Sequence, residues 1–255
     1  MAAPRRPPPT AEEEEFEEAD ALRAAQAAAE AGGCDDWGEP QILDLGSSST
    51  NRSLRLHGLP GNHVGSVSWP CGRAWARHVA CGGCPWLVGA RCIELGAGGG
   101  VVGLAAALAG GAASVVLTDL PALAALLRHN VEANGLEHLC AVESLCWGED
   151  ALPSGPFDVI LACEVVYGSP SAPEFGDAAD QALLLKTLLD LCPVGSSTRL
   201  ALAFQPRSPR DDAFIRQEIL PLFDLEVDGH DLDGAGLLFV GRRCLSPGGG
   251  GSCPS

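Results

Sequence analysis

Along this chain, short unbroken apolar runs alternate with longer stretches in which apolar residues recur every three or four positions. Cys92 to Leu95 reads as a buried strand, followed by a glycine turn and a helix of small residues that runs to Ala109 and is halted by Gly110-Gly111. Ser114 to Thr118 is the next strand. Asp119 ends it, and Pro121 suits the first turn of a helix whose Leu123, Leu126, Leu127 and Val131 form one apolar stripe, closed by Asn134-Gly135. Leu139 to Val142 is a third short strand, followed by a loop carrying Trp147-Gly148. Phe157 to Ala162 is a fourth, apolar almost throughout as a central parallel strand should be.

Downstream, the pattern predicts a helix over Ala179–Leu191, a strand over Arg199–Phe204, a helix over Asp211–Leu220, and strands over Leu222–Val227 and Gly236–Val240. Upstream, three short strands (Gln41–Leu45, Ser53–Leu56 and Gly65–Ser68) precede Trp69-Pro70 and a helix from about Gly72 to Ala80. Strands alternating with helices imply a parallel sheet covered on both faces, with any ligand at the carboxyl ends of the strands.

Composition narrows the partners. The 255 residues suit one domain with tails: an acidic, alanine-rich N-terminal segment over 1–40, a globular domain over 41–246 and a tail over 247–255. Of the net charge of −17, the first 40 residues carry −8 and the rest −9. An acidic body disfavours nucleic acid, whose phosphates need clustered Lys and Arg, and favours cationic ligands or basic protein segments. No apolar run is long enough to span a bilayer, and the opening residues lack the apolar segment of a signal peptide. Eleven cysteines, several inside apolar runs (Cys92, Cys140, Cys163), read as reduced thiols. The expectation is a cytoplasmic or nuclear monomer. Cys81-Gly82-Gly83-Cys84 has no second pair at zinc spacing, so no metal is expected.

The chemistry gathers at the glycine turn. Gly98-Gly99-Gly100-Val101-Val102-Gly103 matches G-x-G-x-x-G between a strand and a helix, and Asp119 stands where an acid can accept both ribose hydroxyls of a nucleotide-like cofactor. A helix-capping role for Asp119 is the alternative. Glu94, two residues before Gly96, lies near where a pyrophosphate would sit on the helix N-terminus. An acid there penalises a dinucleotide and suits S-adenosylmethionine, which carries a sulfonium and an ammonium. Its alternative is to cap backbone amides of the turn.

Several pieces, in this order, resemble the seven-β-strand S-adenosylmethionine-dependent methyltransferases, and within them the protein-lysine methyltransferases that modify chaperones, an AAA ATPase and elongation factors. They are Val67-Ser68-Trp69, Glu94 to Gly100, Leu117-Thr118-Asp119-Leu120-Pro121, Asn130-Val131-Glu132-Ala133-Asn134, Leu145-Cys146-Trp147-Gly148 and Phe157 to Tyr167. The resemblance spans roughly Leu54 to Cys244. It implies a Rossmann-like class I methyltransferase fold, α/β, with a mostly parallel seven-stranded sheet and helices on both faces. It also implies that Gly96, Ala97 and Gly98 approach the methionine part of the cofactor, Asp119 holds the ribose, Trp147 and Ala162 flank the adenine end and Trp69 lines the pocket. Gly99 stands where this group often has Thr or Ser, and Glu164 where many relatives have Asp.

The implied reaction is methyl transfer to a lysine of a protein substrate. The acceptor must lose a proton, a cost of roughly 4 kcal/mol from a pKa near 10.4. Glu164 and Tyr167 follow the fourth strand at the edge where the methyl donor would point. Glu164 is expected to bind and orient the incoming ammonium, and Tyr167 to shape the channel and hydrogen-bond the amine; the alternative is that Glu164 caps backbone amides while Tyr167 packs under the Gly168–Gly176 loop. A general-base role suits Glu164 less, because a carboxylate matches so basic an amine poorly. Two other readings stay open from residues alone: an NAD(P)-dependent oxidoreductase, and a catalytically inactive binding protein on the same fold.

Overall fold

A computed structural model describes residues 37, 39–46, 52–59, 64–166 and 178–245. Seven strands form one sheet: β3 (Arg91–Leu95), β4 (Ser114–Asp119), β5 (Cys140–Ser144), β6 (Val159–Cys163), β7 (Arg199–Phe204), β8 (Phe223–Asp231) and β9 (Leu237–Arg243). Their order is β5-β4-β3-β6-β7-β9-β8, parallel from β5 to β7 and antiparallel where β9 joins β7 and β8. The alternating pattern predicts the parallel part, and the resemblance implies the mostly parallel seven-stranded whole. From β3 the chain winds outward through β4 and β5, then crosses back to β6 beside β3. The switch point that opens a crevice at the strand ends therefore falls between β3 and β6.

Alternation along the central strands sorts side chains onto two apolar layers. Cys92, Val159 and Leu161 face a cluster built with α1 (Pro70–Ala80), α2 (Val101–Leu108) and α3 (Pro121–Ala133). Ile93, Leu95, Ile160 and Ala162 face a second cluster that includes Leu184 and Leu188 of α4 (Ala178–Leu191). By the same alternation, Glu94 points toward the α2 side. A separate antiparallel hairpin, β1 (Gln41–Asp44) with β2 (Ser53–Leu56), stands outside the main sheet.

The hairpin is held by a match of two periods. Asn130 on α3 and Asn134 at its C-cap, one helical turn apart, each form a paired amide contact with the backbone of His57 and Arg55, two residues apart. Asn130 Oδ1 accepts from His57 N at 2.8 Å and its Nδ2 donates to His57 O at 3.1 Å; Asn134 does the same with Arg55 at 2.9 and 2.8 Å. Four residues of helix rise about 6 Å and two of strand about 6.6 Å, so the two side chains meet alternate peptides without strain.

Three expectations need correction. Gly65–Ser68 is not a strand: Val64–Ser66 forms a 3₁₀ turn. It has no strand to pair with, and lies instead between α3 and the glycine turn. A Cβ on Gly65 would sit 2.9 Å from Leu123 Cδ1. The helix expected over Asp211–Leu220 is broken into α5 (Pro209–Ala213), a π-helical stretch (Phe214–Ile219) and a 3₁₀ turn (Leu220–Leu222). Pro221, which has no N–H to donate, sits in the last of these. The strand expected to stop at Val227 continues to Asp231 through register shifts, with an exposed polar second half that the apolar pattern missed. The tail over 247–255 and most of 1–40 lie outside the described residues.

Candidate active site

The glycine turn follows β3 directly. Gly96 and Gly98 have φ of +61° and +56°, a backbone region costly for residues with a Cβ. A Cβ on Gly98 would also collide with Gly65 O at 2.5 Å. A Cβ on Gly96 would sit 3.1 Å from Val165 Cγ1 and 3.3 Å from Trp147 Cζ2. The turn thus brings bare backbone against Val165 and the Trp147 ring, closer than a residue with a Cβ would allow. Asn130, fully buried, fastens the turn from behind through Nδ2 to Gly99 O at 2.9 Å. That clamp was not assigned from the sequence, although Asn130 lies in one of the family-like pieces.

Two acids serve the turn differently. Asp119 Oδ2 accepts from Gly98 N and its Oδ1 from Leu120 N, both at 2.7 Å. Each oxygen keeps a second lone pair, so the carboxylate can brace the turn and still accept from a hydroxyl. Burial pushes its pKa up to about 6, against the two amides. Glu94 is 2% exposed and its Oε2 accepts from Gly103 N, at the third position of α2, at 2.9 Å. Burial drives it up to about 8 despite that amide, with the nearby Asp119 carboxylate adding to the rise. The amide-capping alternative therefore describes the contact Glu94 makes. Its charge is weaker near neutrality than the sequence suggests. The case against a diphosphate then rests on an occupied amide: a helix N–H that a pyrophosphate would use is already bonded.

At the end of β6, Glu164 is 9% exposed and adopts φ +57°. Its Oε1 accepts from Gln205 N at 2.9 Å, and its Oε2 pairs with the Arg207 guanidinium, which lies 4.7 Å over the Trp69 ring. Burial raises the Glu164 pKa; Arg207, the Gln205 amide and the Cys71 thiol oppose it. Sequence reasoning did not single out Arg207. The available signal was a cation three residues beyond β7, at the same carboxyl edge as Glu164.

Trp69, Glu94, Gly96, Ala97, Gly98, Asp119, Trp147, Ala162 and Glu164 thus all lie at or beside the carboxyl ends of β3, β4 and β6. Ala97 is buried, with its N–H bonded to Thr118 O at 3.0 Å. Ala162 is fully buried in the α4-side layer, against which Trp147 packs. Tyr167 lies outside the described residues. Among the described residues, no group of three or more His, Cys, Asp or Glu could hold a metal ion. The residues present suit S-adenosylmethionine: glycine backbone set beside an aromatic ring, a ribose acceptor in Asp119, and a helix amide closed to phosphate.

This arrangement defines a methyltransferase of the Rossmann-like type. In fold the chain is similar to mitomycin 7-O-methyltransferase, with a TM-score of 0.50 at 15% identity over 68% of this chain and 54% of that one. A lysine methyltransferase family model matches residues 48–218, and the chain belongs to that family. It is 37% identical to mouse EEF1A lysine methyltransferase 3 over 57% of this chain, and 34% identical to mouse protein N-lysine methyltransferase METTL21A over 60%. These matches span 58% and 66% of the relatives' own lengths.

Proposed function

We propose that this protein transfers a methyl group from S-adenosylmethionine to a lysine side chain of a protein substrate, within the cytoplasm or nucleus. The observation that carries the reading is contiguity. Val165, the residue after Glu164, packs on Gly96, so the donor turn and the acid assigned to the acceptor share one surface. When bound, S-adenosylmethionine supplies an electrophilic methyl whose bond to sulfur breaks with its electron pair left on sulfur.

The chain's own part is orientation and exclusion of water. Gly96, Ala97 and Gly98 admit the methionine portion along the backbone, Asp119 receives the ribose hydroxyls, and Trp147 offers an aromatic face to the purine. Trp69, with Arg207 over its ring, lines the cofactor pocket. Glu164 accepts a hydrogen bond from the acceptor nitrogen and aims its lone pair, with Tyr167 as a second partner. Membership of the lysine methyltransferase family supports this assignment. The described cysteines are free thiols, which supports a reducing compartment.

The test is to incubate the full chain with methyl-labelled cofactor and either purified EEF1A, named in one relative, or total cell protein, and to locate the label by mass spectrometry. Label on lysine is the expected result. Label confined to other residues or to small molecules would overturn the reading.

A further inference from the structure

The acid assigned to the acceptor already holds a cation. Glu164 is 6% exposed in its side chain, whereas Arg207, its partner, is 38% exposed and lies across the Trp69 face. With Gln205 N on its other oxygen, Glu164 presents a net-neutral ion pair to whatever approaches. Among the described residues, the other titratable groups against it are thiols: Cys71 on α1, which favours its charged form, and Cys163 on β6. Buried charges are tolerated when paired, and a second cation brought to a carboxylate already neutralised gains far less than the first. A lysine ammonium would also face the guanidinium, a like charge.

We propose that Arg207 is a specificity-determining positioning residue, which neutralises Glu164 so that the site receives the acceptor as the uncharged amine. This rests on the lysine-methyltransfer reading. The ammonium gives its proton to water before entry. Its nitrogen lone pair then forms the new N–C bond as the C–S bond breaks, and the product leaves as a methylated ammonium that keeps the single positive charge. Glu164 contributes a free lone pair as hydrogen-bond acceptor for the amine N–H. Arg207 touches neither reacting atom and acts through Glu164 and through its stacking on Trp69.

The test needs no protein substrate. n-Butylamine, the lysine side chain without its backbone, is titrated by NMR between about pH 8 and pH 10 into the full chain saturated with S-adenosylhomocysteine, the demethylated cofactor. Below the amine's pKa, near 10.4 for lysine, selection of the neutral form makes affinity rise about tenfold per pH unit. Wild type is expected to show that slope. Arg207→Met leaves Glu164 unpaired and selects the ammonium, so its affinity is expected to be nearly flat across this range and about tenfold or more tighter at pH 8. Arg207→Lys, which keeps the charge, should follow wild type. Should Arg207→Met lose S-adenosylhomocysteine binding, Arg207→Gln carries the same comparison.

Equal slopes in wild type and the uncharged variant would overturn the proposal, as would no butylamine binding by wild type at any pH. If the slopes differ as expected but no protein lysine is methylated, the enzyme assignment fails and the role of Arg207 toward an amine stands. If lysine is methylated and the slopes are equal, the reverse holds.

Discussion

Glu94 and Glu164 are both glutamates, both buried, and both at or beyond the carboxyl ends of adjacent central strands, yet they are satisfied in opposite ways. Glu94 bonds a neutral helix amide, so burial keeps it a weak acid with a pKa of about 8. Glu164 has a guanidinium and an amide, so its burial is answered by a full opposite charge. The lesson concerns partners rather than residue type. An acid paired to a dipole tends to hold its proton and hold the fold, while a cation beside a buried acid opposes the rise that burial causes.

The same substitution at both positions breaks the comparison most directly. Glu164→Gln should lower methyl transfer by about 100-fold, because it replaces the acceptor that orients the nitrogen, while cofactor affinity stays within about threefold. Labelled methyl transfer and cofactor titration separate the two effects. Glu94→Gln mimics a protonated glutamate and should leave turnover within about threefold in the same assay.

The sheet was legible because its central strands are continuous apolar runs and its glycine turn falls between a strand and a helix. The family-like pieces likewise brought most of the site residues to one edge. What could not be read was partnership across the sheet. Arg207 meets Glu164 only because β7 lies beside β6, and the sequence separation of 43 residues hides that. Asn130 is bland in sequence until β2 is laid against α3. Charge at Glu94 was overestimated for the same reason: its burial under α2 depends on tertiary packing.

Next in size is Gly103→Ala, which sharpens the account of Glu94. The added Cβ would meet Leu117 Cδ2 at 2.3 Å and Glu94 Oε2 at 2.4 Å, so stability should fall by about 1–3 kcal/mol in urea unfolding. Asp119→Ala tests the third acid. Losing hydrogen bonds to a charged group should weaken S-adenosylmethionine binding about tenfold or more by calorimetry. No change in affinity would remove Asp119 from the cofactor site.

The last test is a slope. The folded pKa of Glu94, about 8, lies above its unfolded value near 4.3, so the folded state binds the extra proton between them. Its contribution is fully present below pH 4.3 and fades as pH rises through 8. Thermal melts between about pH 5 and pH 8.5 should therefore show wild type losing more stability than Glu94→Gln over that range. Asp119, raised to about 6, should leave a residual slope in both.

The left-handed backbone at Glu164 has one more implication. A side chain with a Cβ pays on the order of 1 kcal/mol for that conformation, and glycine pays nothing. Glycine would relieve that strain but would also leave Arg207 and the Gln205 amide without their acceptor, so melting temperature alone gives no drift away from glutamate. One carboxylate at position 164 therefore both holds a strained backbone in place and faces the acceptor, so stability and turnover are tied to the same side chain.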